Sequence, residues 1–289
     1  MKKNIFLAGI ALLFAACSNE NETLVDNNAV APVTVHVTGF SVSQENFSST
    51  RAASAVANYN DVNAITLAFY KTDGTEAYKT TQAKNEADFG EFSLSLPMGT
   101  YTMVALAYYT NENSVLTLTS PTEASYNTRA RETFAYTQAV TISNTDVVDI
   151  SATLERIVSM LTVKSTDGKT ADVSNVRMSF SAGGKDFNPT TGLAITTTGL
   201  TNTVGNSAAV GATSTSSTML FLNTDEQNID VTIETLDADG AVLFCKTVPN
   251  VPFKRNRKTI LSGAMYTNEA LSGAFQVETA WLPDAIGSF

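Results

Sequence analysis

Apolar and polar residues alternate with a period of two from residue 33 to the end of the chain, and helical spacing is scarce. In the first alternating segment the apolar positions are Val33, Val35, Val37, Phe40 and Val42. The apolar phase changes at Gly39, as it does when a β-bulge inserts one extra residue into a strand. The pattern therefore predicts a first β-strand with an irregularity at this glycine.

Similar short segments fill the rest of the chain and are separated by turn sequences. Thr72-Asp73-Gly74-Thr75, Pro97-Met98-Gly99-Thr100 and Asp239-Gly240 are the clearest turns, because Asp, Pro and Gly favour tight reversals. Roughly seven strands fall in each half, which is the usual number for a β-sandwich. We expect an all-β protein with two sandwiches, at residues 33–155 and 156–289, rather than one continuous barrel. Residues 196–218, rich in Thr, Ser and Gly, are too long for a simple hairpin loop.

The first residues have the pattern of a targeting signal. Lys2 and Lys3 precede an apolar run over residues 5–16, and small residues stand directly before Cys17. The run is shorter than the roughly 20 apolar residues that span a bilayer. We predict a lipoprotein signal peptide at residues 1–16, lipidation of Cys17 and a flexible acidic tether at 17–32. Ordinary cleavage nearby, which would leave Cys17 as a free thiol, is the alternative.

Composition excludes several classes of function. The net charge of −10 argues against nucleic-acid partners, which require a basic surface. His36 lies on the polar phase of the first strand, where it is expected to be solvated, and no Cys/His cluster is available for zinc. Cys245 lies in an apolar segment and is expected to be buried. We predict no enzyme activity, no metal and no cofactor.

The dense basic run Lys254-Arg255-Asn256-Arg257-Lys258 contrasts with the acidic character of the chain. It follows a proline and precedes a predicted strand, so a solvated turn is the expected structure. A docking patch is the alternative.

The order of several segments resembles the fimbrillin family of Bacteroidales type V pili, and the resemblance covers nearly the whole chain. The first similar segments are the predicted lipidation site Cys17, the acidic tether that follows it and the first strand, which ends in Gly39-Phe40-Ser41-Val42. The further similar segments are Thr50-Arg51-Ala52, Leu96-Pro97-Met98-Gly99-Thr100-Tyr101, Leu154-Glu155-Arg156-Ile157-Val158-Ser159 and Arg257-Lys258-Thr259-Ile260-Leu261-Ser262-Gly263.

The resemblance implies two transthyretin-like Greek-key β-sandwich domains and no enzyme activity. It also implies a lipidated precursor at the outer membrane, which an arginine-specific protease cuts after Arg51. Loss of the first strand would open a groove that a strand of a neighbouring pilus subunit fills, producing a surface fimbrium that supports adhesion. The candidate donor strand lies within residues 274–289, where Phe275, Val277, Thr279 and Trp281 alternate. That strand is equally suited to be an integral part of the second domain.

Two other interpretations remain open. In the first, Arg51 is an ordinary loop residue, and the protein is an anchor of the same family that keeps its lipid and its first strand. In the second, it is a monomeric surface lipoprotein that binds glycans on host or bacterial cells through exposed aromatic side chains.

Overall fold

The computed structural model describes residues 29–41, 59–267 and 275–281. These residues form strands, turns and loops but no helix, which confirms the all-β prediction. Cys17, Val42 and Arg51 lie outside the described residues. For Thr279 and Trp281 the backbone is described and the side chains are not.

The strands up to residue 156 are β1 Val30–Ser41, β2 Ala64–Lys71, β3 Glu76–Ala83, β4 Glu91–Pro97, β5 Gly99–Tyr108, β6 Leu116–Ser120, β7 Glu123–Tyr126, β8 Thr133–Ile142 and β9 Val148–Arg156. The strands that follow are β10 Ser159–Ser165, β11 Asn175–Phe180, β12 Asp186–Asn188, β13 Leu193–Ala194, β14 Leu200–Gly205, β15 Thr215–Leu220, β16 Glu226–Leu236, β17 Val242–Lys254, β18 Arg257–Gly263 and β19 Gln276–Trp281.

Seven strands of the first half form one sheet in the order β3-β2-β5-β8-β9-β1-β4. Strands β8 and β9 are paired only at Phe134↔Arg156 and Ala135↔Glu155. The buried cluster of this region draws its residues from β1, β2, β4, β5, β8, β9 and the segment before β2. Since this cluster joins strands from both sides of the short β8–β9 pairing, the sheet folds over on itself there, and β9-β1-β4 packs against β2-β5-β8.

The second half contains two four-stranded sheets, β15-β10-β18-β19 and β14-β11-β16-β17, with a shared apolar core between them. A further sheet, β13-β12-β7-β6, contains strands from both halves of the chain. Here Phe187 stacks on Phe221 with ring centroids 4.2 Å apart, and Tyr126 stacks on Phe221 from the first half. The two halves are therefore joined by packed aromatic side chains. The boundary after residue 155 and the transthyretin-like topology stay predictions.

The expectation that Cys245 is buried is wrong. It is exposed, because its neighbour Phe244 takes the inward position of strand β17 and the period of two sends the cysteine outward.

The basic run forms the expected turn between β17 and β18, but it is solvated only in part, because Asn256 at its centre is buried. Residues 196–218 include β14 and the first part of β15, which pair with β11 and β10.

Candidate functional site

Strand β1 occupies an internal position in the first sheet. It pairs antiparallel with β4, from Val30↔Pro97 to His36↔Glu91, and parallel with β9, from Val33↔Val148 to Ser41↔Glu155. The register with β9 shifts between Val37 and Gly39, which confirms the irregularity expected at this glycine. Since both edges of β1 are hydrogen-bonded, its loss would leave two strand edges unpaired.

The inward face of β1 is fully packed. Its buried hydrophobic side chains are Ala31, Val33, Val35, Val37 and Phe40, none more than 4% exposed. Burial of a side chain of the size of Val or Phe contributes about 1.5–3 kcal/mol, so this strand supplies a large share of the stability of the first core. The structure thus brings together four of the five residues predicted for the removable strand, and Val42 lies outside the described residues.

The outward face of β1 carries an ionic contact that the sequence pattern missed. His36 is hydrogen-bonded through Nδ1 to Glu91 of β4, and its Nε2 lies 3.1 Å from Asp149 of β9. The hydrogen bond to Glu91 raises the pKa of His36 above its usual value, and the charges of Glu91 and Asp149 act in the same direction. The protonated imidazole therefore links the first strand to both of its neighbours.

Near the end of β1, Phe40 packs on an aromatic group beside a buried ion pair. Its ring centroid lies 4.4 Å from that of Phe134 and 5.0 Å from that of Tyr59. The guanidinium of Arg156 lies over Phe134, 5.1 Å from the ring centroid. Arg156 Nε donates to Glu132 Oε1 at 2.5 Å, Nη2 donates to the Tyr59 hydroxyl at 2.5 Å, and that hydroxyl donates to Glu132 at 3.2 Å.

Arg156 also contacts the basic turn between β17 and β18. Its Nη1 donates to Asn256 Oδ1 at 3.1 Å, and Asn256 N–H donates to the Val158 carbonyl at 2.9 Å. Asn256 has a φ of 59°, a left-handed conformation that asparagine tolerates better than most residues. Although burial opposes its charge, Glu132 raises the pKa of Arg156 and keeps the side chain ionised. One arginine thus connects both halves of the chain through fully buried polar contacts.

The candidate donor strand lies in a sheet of the second half, where its Trp281 pairs with Arg257, the residue after Asn256. Strand β19 pairs antiparallel with β18 at the edge of its sheet, from Arg257↔Trp281 to Ser262↔Gln276. Phe275, directly before it, is half-buried against the second core, whereas Val277 is 45% exposed. The backbone of Thr279 and Trp281 continues the strand. Among the described residues, this strand is therefore paired along one edge only.

The described ranges contain no helix that is long and apolar enough to cross a membrane. Within the same ranges, no group of three or more His, Cys, Asp and Glu side chains could hold a metal ion.

Comparison with known proteins gives a family and a fold. A model described as a family of unknown function (DUF6562) matches residues 27–281. No curated protein matches the sequence. The chain is similar to the solved structure of the fimbrial anchor protein Mfa2 from Porphyromonas gingivalis, with 12% identity and a TM-score of 0.54, over 90% of this chain and 100% of that one.

Two further solved structures have comparable similarity. A candidate adhesin from Bacteroides thetaiotaomicron VPI-5482 has 11% identity and a TM-score of 0.53, over 90% of this chain and 100% of its own. Another, from Bacteroides ovatus ATCC 8483, has 12% identity and a TM-score of 0.52, over 82% and 88%. At these identities the likeness shows a shared fold alone.

Arg156→Ala should lower the free energy of unfolding by about 3–5 kcal/mol, because it leaves the Glu132 carboxylate buried without its partner. Urea unfolding at neutral pH measures this change. Arg177→Ala is the matched control, since the Arg177–Glu234 ion pair has the same 2.5 Å separation but the Arg177 side chain is 32% exposed. Its loss should cost much less than the loss of Arg156, because water screens an exposed ion pair. Equal losses in the two variants would contradict a structural role for the buried pair.

His36→Gln should remove a pH dependence of stability. The raised pKa means that the protonated imidazole stabilises the folded chain below the unfolded pKa of 6.5, and that this contribution is lost as pH rises through the folded pKa. The urea midpoint of the wild-type protein should therefore fall more between pH 6 and pH 9 than that of the variant. The chain has one histidine, so the difference between the two slopes reports this side chain. Identical slopes would contradict the contact.

Proposed function

This chain belongs to the DUF6562 family, whose function is unknown, and we propose that it is a structural subunit of a cell-surface fimbria that polymerises by strand exchange. In this proposal it is exported as a precursor lipidated on Cys17 and held at the outer membrane. An arginine-specific protease then cuts after Arg51, and a strand of another pilus subunit replaces β1. The resulting fimbria supports adhesion, and no catalytic step is part of the proposal.

The internal position of β1 is the observation that carries the proposal. Its removal would leave the N–H and C=O groups of β4 and β9 facing each other across a gap one strand wide, above a row of emptied apolar sites. Unpaired strand edges and exposed apolar surface both favour the uptake of another extended strand. A donor that satisfies this gap must alternate apolar residues with a period of two, as Val33, Val35 and Val37 do.

The C-terminal strand has the properties that a donor requires. Phe275, Val277, Thr279 and Trp281 occupy alternate positions in or beside β19, and this strand pairs with β18 along a single edge. Release of β19 would break one strand pairing, whereas its insertion between β4 and β9 would form two. The difference in the number of strand pairings favours exchange once β1 has left.

The likeness to Mfa2 favours a second role within the same proposal. In this role the chain would be a fimbrial anchor. It would retain β1 and the lipid on Cys17 and would hold the fibre to the membrane. In that case the described structure is the working state, and Arg51 is not cut. A monomeric glycan-binding lipoprotein, the third interpretation of the sequence, would neither lose β1 nor associate.

A reversible covalent lock on β1 tests the exchange mechanism. Thr34 and Ser93 are Cα partners in the antiparallel β1–β4 pair, so T34C/S93C should form a disulfide in a Cys245→Ser background. Brief trypsin treatment of the wild-type precursor should cut after Arg51 and yield denaturant-resistant oligomers on gels. The locked variant should be cut but stay monomeric until a reductant is added.

The controls separate strand exchange from the anchor role. T100C/T141C places a disulfide between β5 and β8, where Thr100 and Thr141 are also Cα partners, and should polymerise like the wild type. Arg51→Ala should be neither cut nor polymerised. A locked variant that polymerises without reductant would contradict displacement of β1. Two results together would favour the anchor role. Trypsin would fail to cut the wild-type precursor, and isolated fibres would retain acylated Cys17.

Val277→Asp should block polymerisation without loss of fold, because a charge in the apolar groove is costly whereas Val277 is 45% exposed in the precursor. Gln276→Asp adds a charge at the adjacent position, which points to the opposite face of the strand, and is the matched control. Trypsin-induced oligomers measured as above should be absent for the first variant and present for the second. Equal polymerisation of both variants would exclude β19 as the donor.

A further inference from the structure

A cleft of about 330 Å³ opens where the two halves of the chain meet. One wall consists of Tyr109, after strand β5, and the segment Arg129 to Glu132 before β8. The other wall consists of Met160 on β10 and residues 217–219 on β15. The volume is at the lower end of the range typical of small-molecule sites, about 300–1,000 Å³.

Two polar side chains of the cleft have buried atoms that make no hydrogen bond. Arg131 Nε and Thr218 Oγ1 are both without a partner among the residues that the structure describes. A buried donor or acceptor left unsatisfied costs about 1–3 kcal/mol, so native proteins rarely leave two in one place. Arg131 is held in position by its contact with the Tyr109 ring, 5.7 Å from the guanidinium carbon to the ring centroid. Arg131 is thus held at the wall of the cleft with one N–H group that no described residue satisfies.

The charge distribution favours an anion. Arg129 lines the same cleft, and neither it nor Arg131 forms an ion pair within the described ranges. Burial lowers the pKa of Arg131, and the positive charge of Arg129 lowers it further. Of the two carboxylates in the lining, Glu132 is paired with Arg156, and Asp61 is exposed. Two arginines without carboxylate partners remain, in a chain whose net charge is −10.

We infer that this cleft binds a monosaccharide that carries a carboxylate. The planar guanidinium of Arg131 matches a carboxylate in a two-point hydrogen bond, and the charge of Arg129 adds to the attraction. The side chains of Tyr109, Met160 and Met219 supply apolar surface for the sugar ring. An inorganic anion would fill only part of this volume. The inference does not depend on strand exchange, because every residue in it is present in the chain before and after removal of β1.

Titration of the full chain with D-galacturonate, D-galactose and sodium sulfate tests the inference by calorimetry or ligand-observed NMR. Galacturonate should bind at least about tenfold more tightly than either of the others, which corresponds to about 1.4 kcal/mol. Arg131→Gln should weaken galacturonate binding at least about tenfold, and Arg129→Gln should weaken it less. Lys71→Gln, which removes one positive charge from an exposed position at the end of β2, should leave it unchanged.

Three results would overturn the inference. They are no measurable binding of galacturonate to the wild type, binding of sulfate or galactose as tight as that of galacturonate, and undiminished binding to Arg131→Gln. Circular dichroism establishes whether each variant is folded. If Arg131→Gln does not fold, Arg131→Lys, which keeps the charge but lacks the planar fork, takes its place and should also bind more weakly. The outcome is independent of polymerisation, so it distinguishes this site from the proposed fimbrial role.

Discussion

The buried ion pair between Arg156 and Glu132 is the interaction on which the arrangement of the two halves depends. Arg156 is the last residue of β9, and its guanidinium donates to Glu132 and Tyr59 in the first half and to Asn256 in the second. A charge removed from water requires several well-placed partners to offset its desolvation. Since Arg156 and its three partners come from four separate segments, the full set of contacts forms only when all four are in place. It therefore defines one relative position of the segments that it joins.

Strand β1 is coupled to this pair through aromatic packing. Phe40 contacts both Tyr59 and Phe134, and Arg156 lies over Phe134. Under the proposed function, loss of β1 would uncover these rings and give water access to a charge that is now buried. A donor strand would then restore more than backbone hydrogen bonds, because an apolar side chain at the position of Phe40 would also re-cover the ion pair. Strand exchange at β1 would therefore also affect the packing around the Arg156–Glu132 ion pair at the junction.

The same residues bound the inferred ligand cleft. Glu132 and Arg156 contribute to its lining, next to the unpaired Arg131. The segment from Arg129 to Glu132 thus supplies a structural carboxylate and, one residue earlier, a cation that has no carboxylate partner in the described ranges. Elsewhere in the first sheet, His36 adds a contact that depends on its protonation and holds β1 to β4 and β9. The ion pair that stabilises the junction is therefore also part of the wall of the inferred ligand site, and His36 holds β1 separately.

The sequence by itself determined the all-β class, the inward face of β1 and the irregularity at Gly39, because a period of two specifies directly which side chains share a face. The predictions for Cys17 and Arg51 also come from the sequence alone. The tertiary structure decided which strands are neighbours. It placed His36 between two carboxylates, turned Cys245 outward and buried Asn256 against Arg156. These contacts join residues far apart in the chain, and alternation along a strand contains no information about the residue that will lie opposite in space.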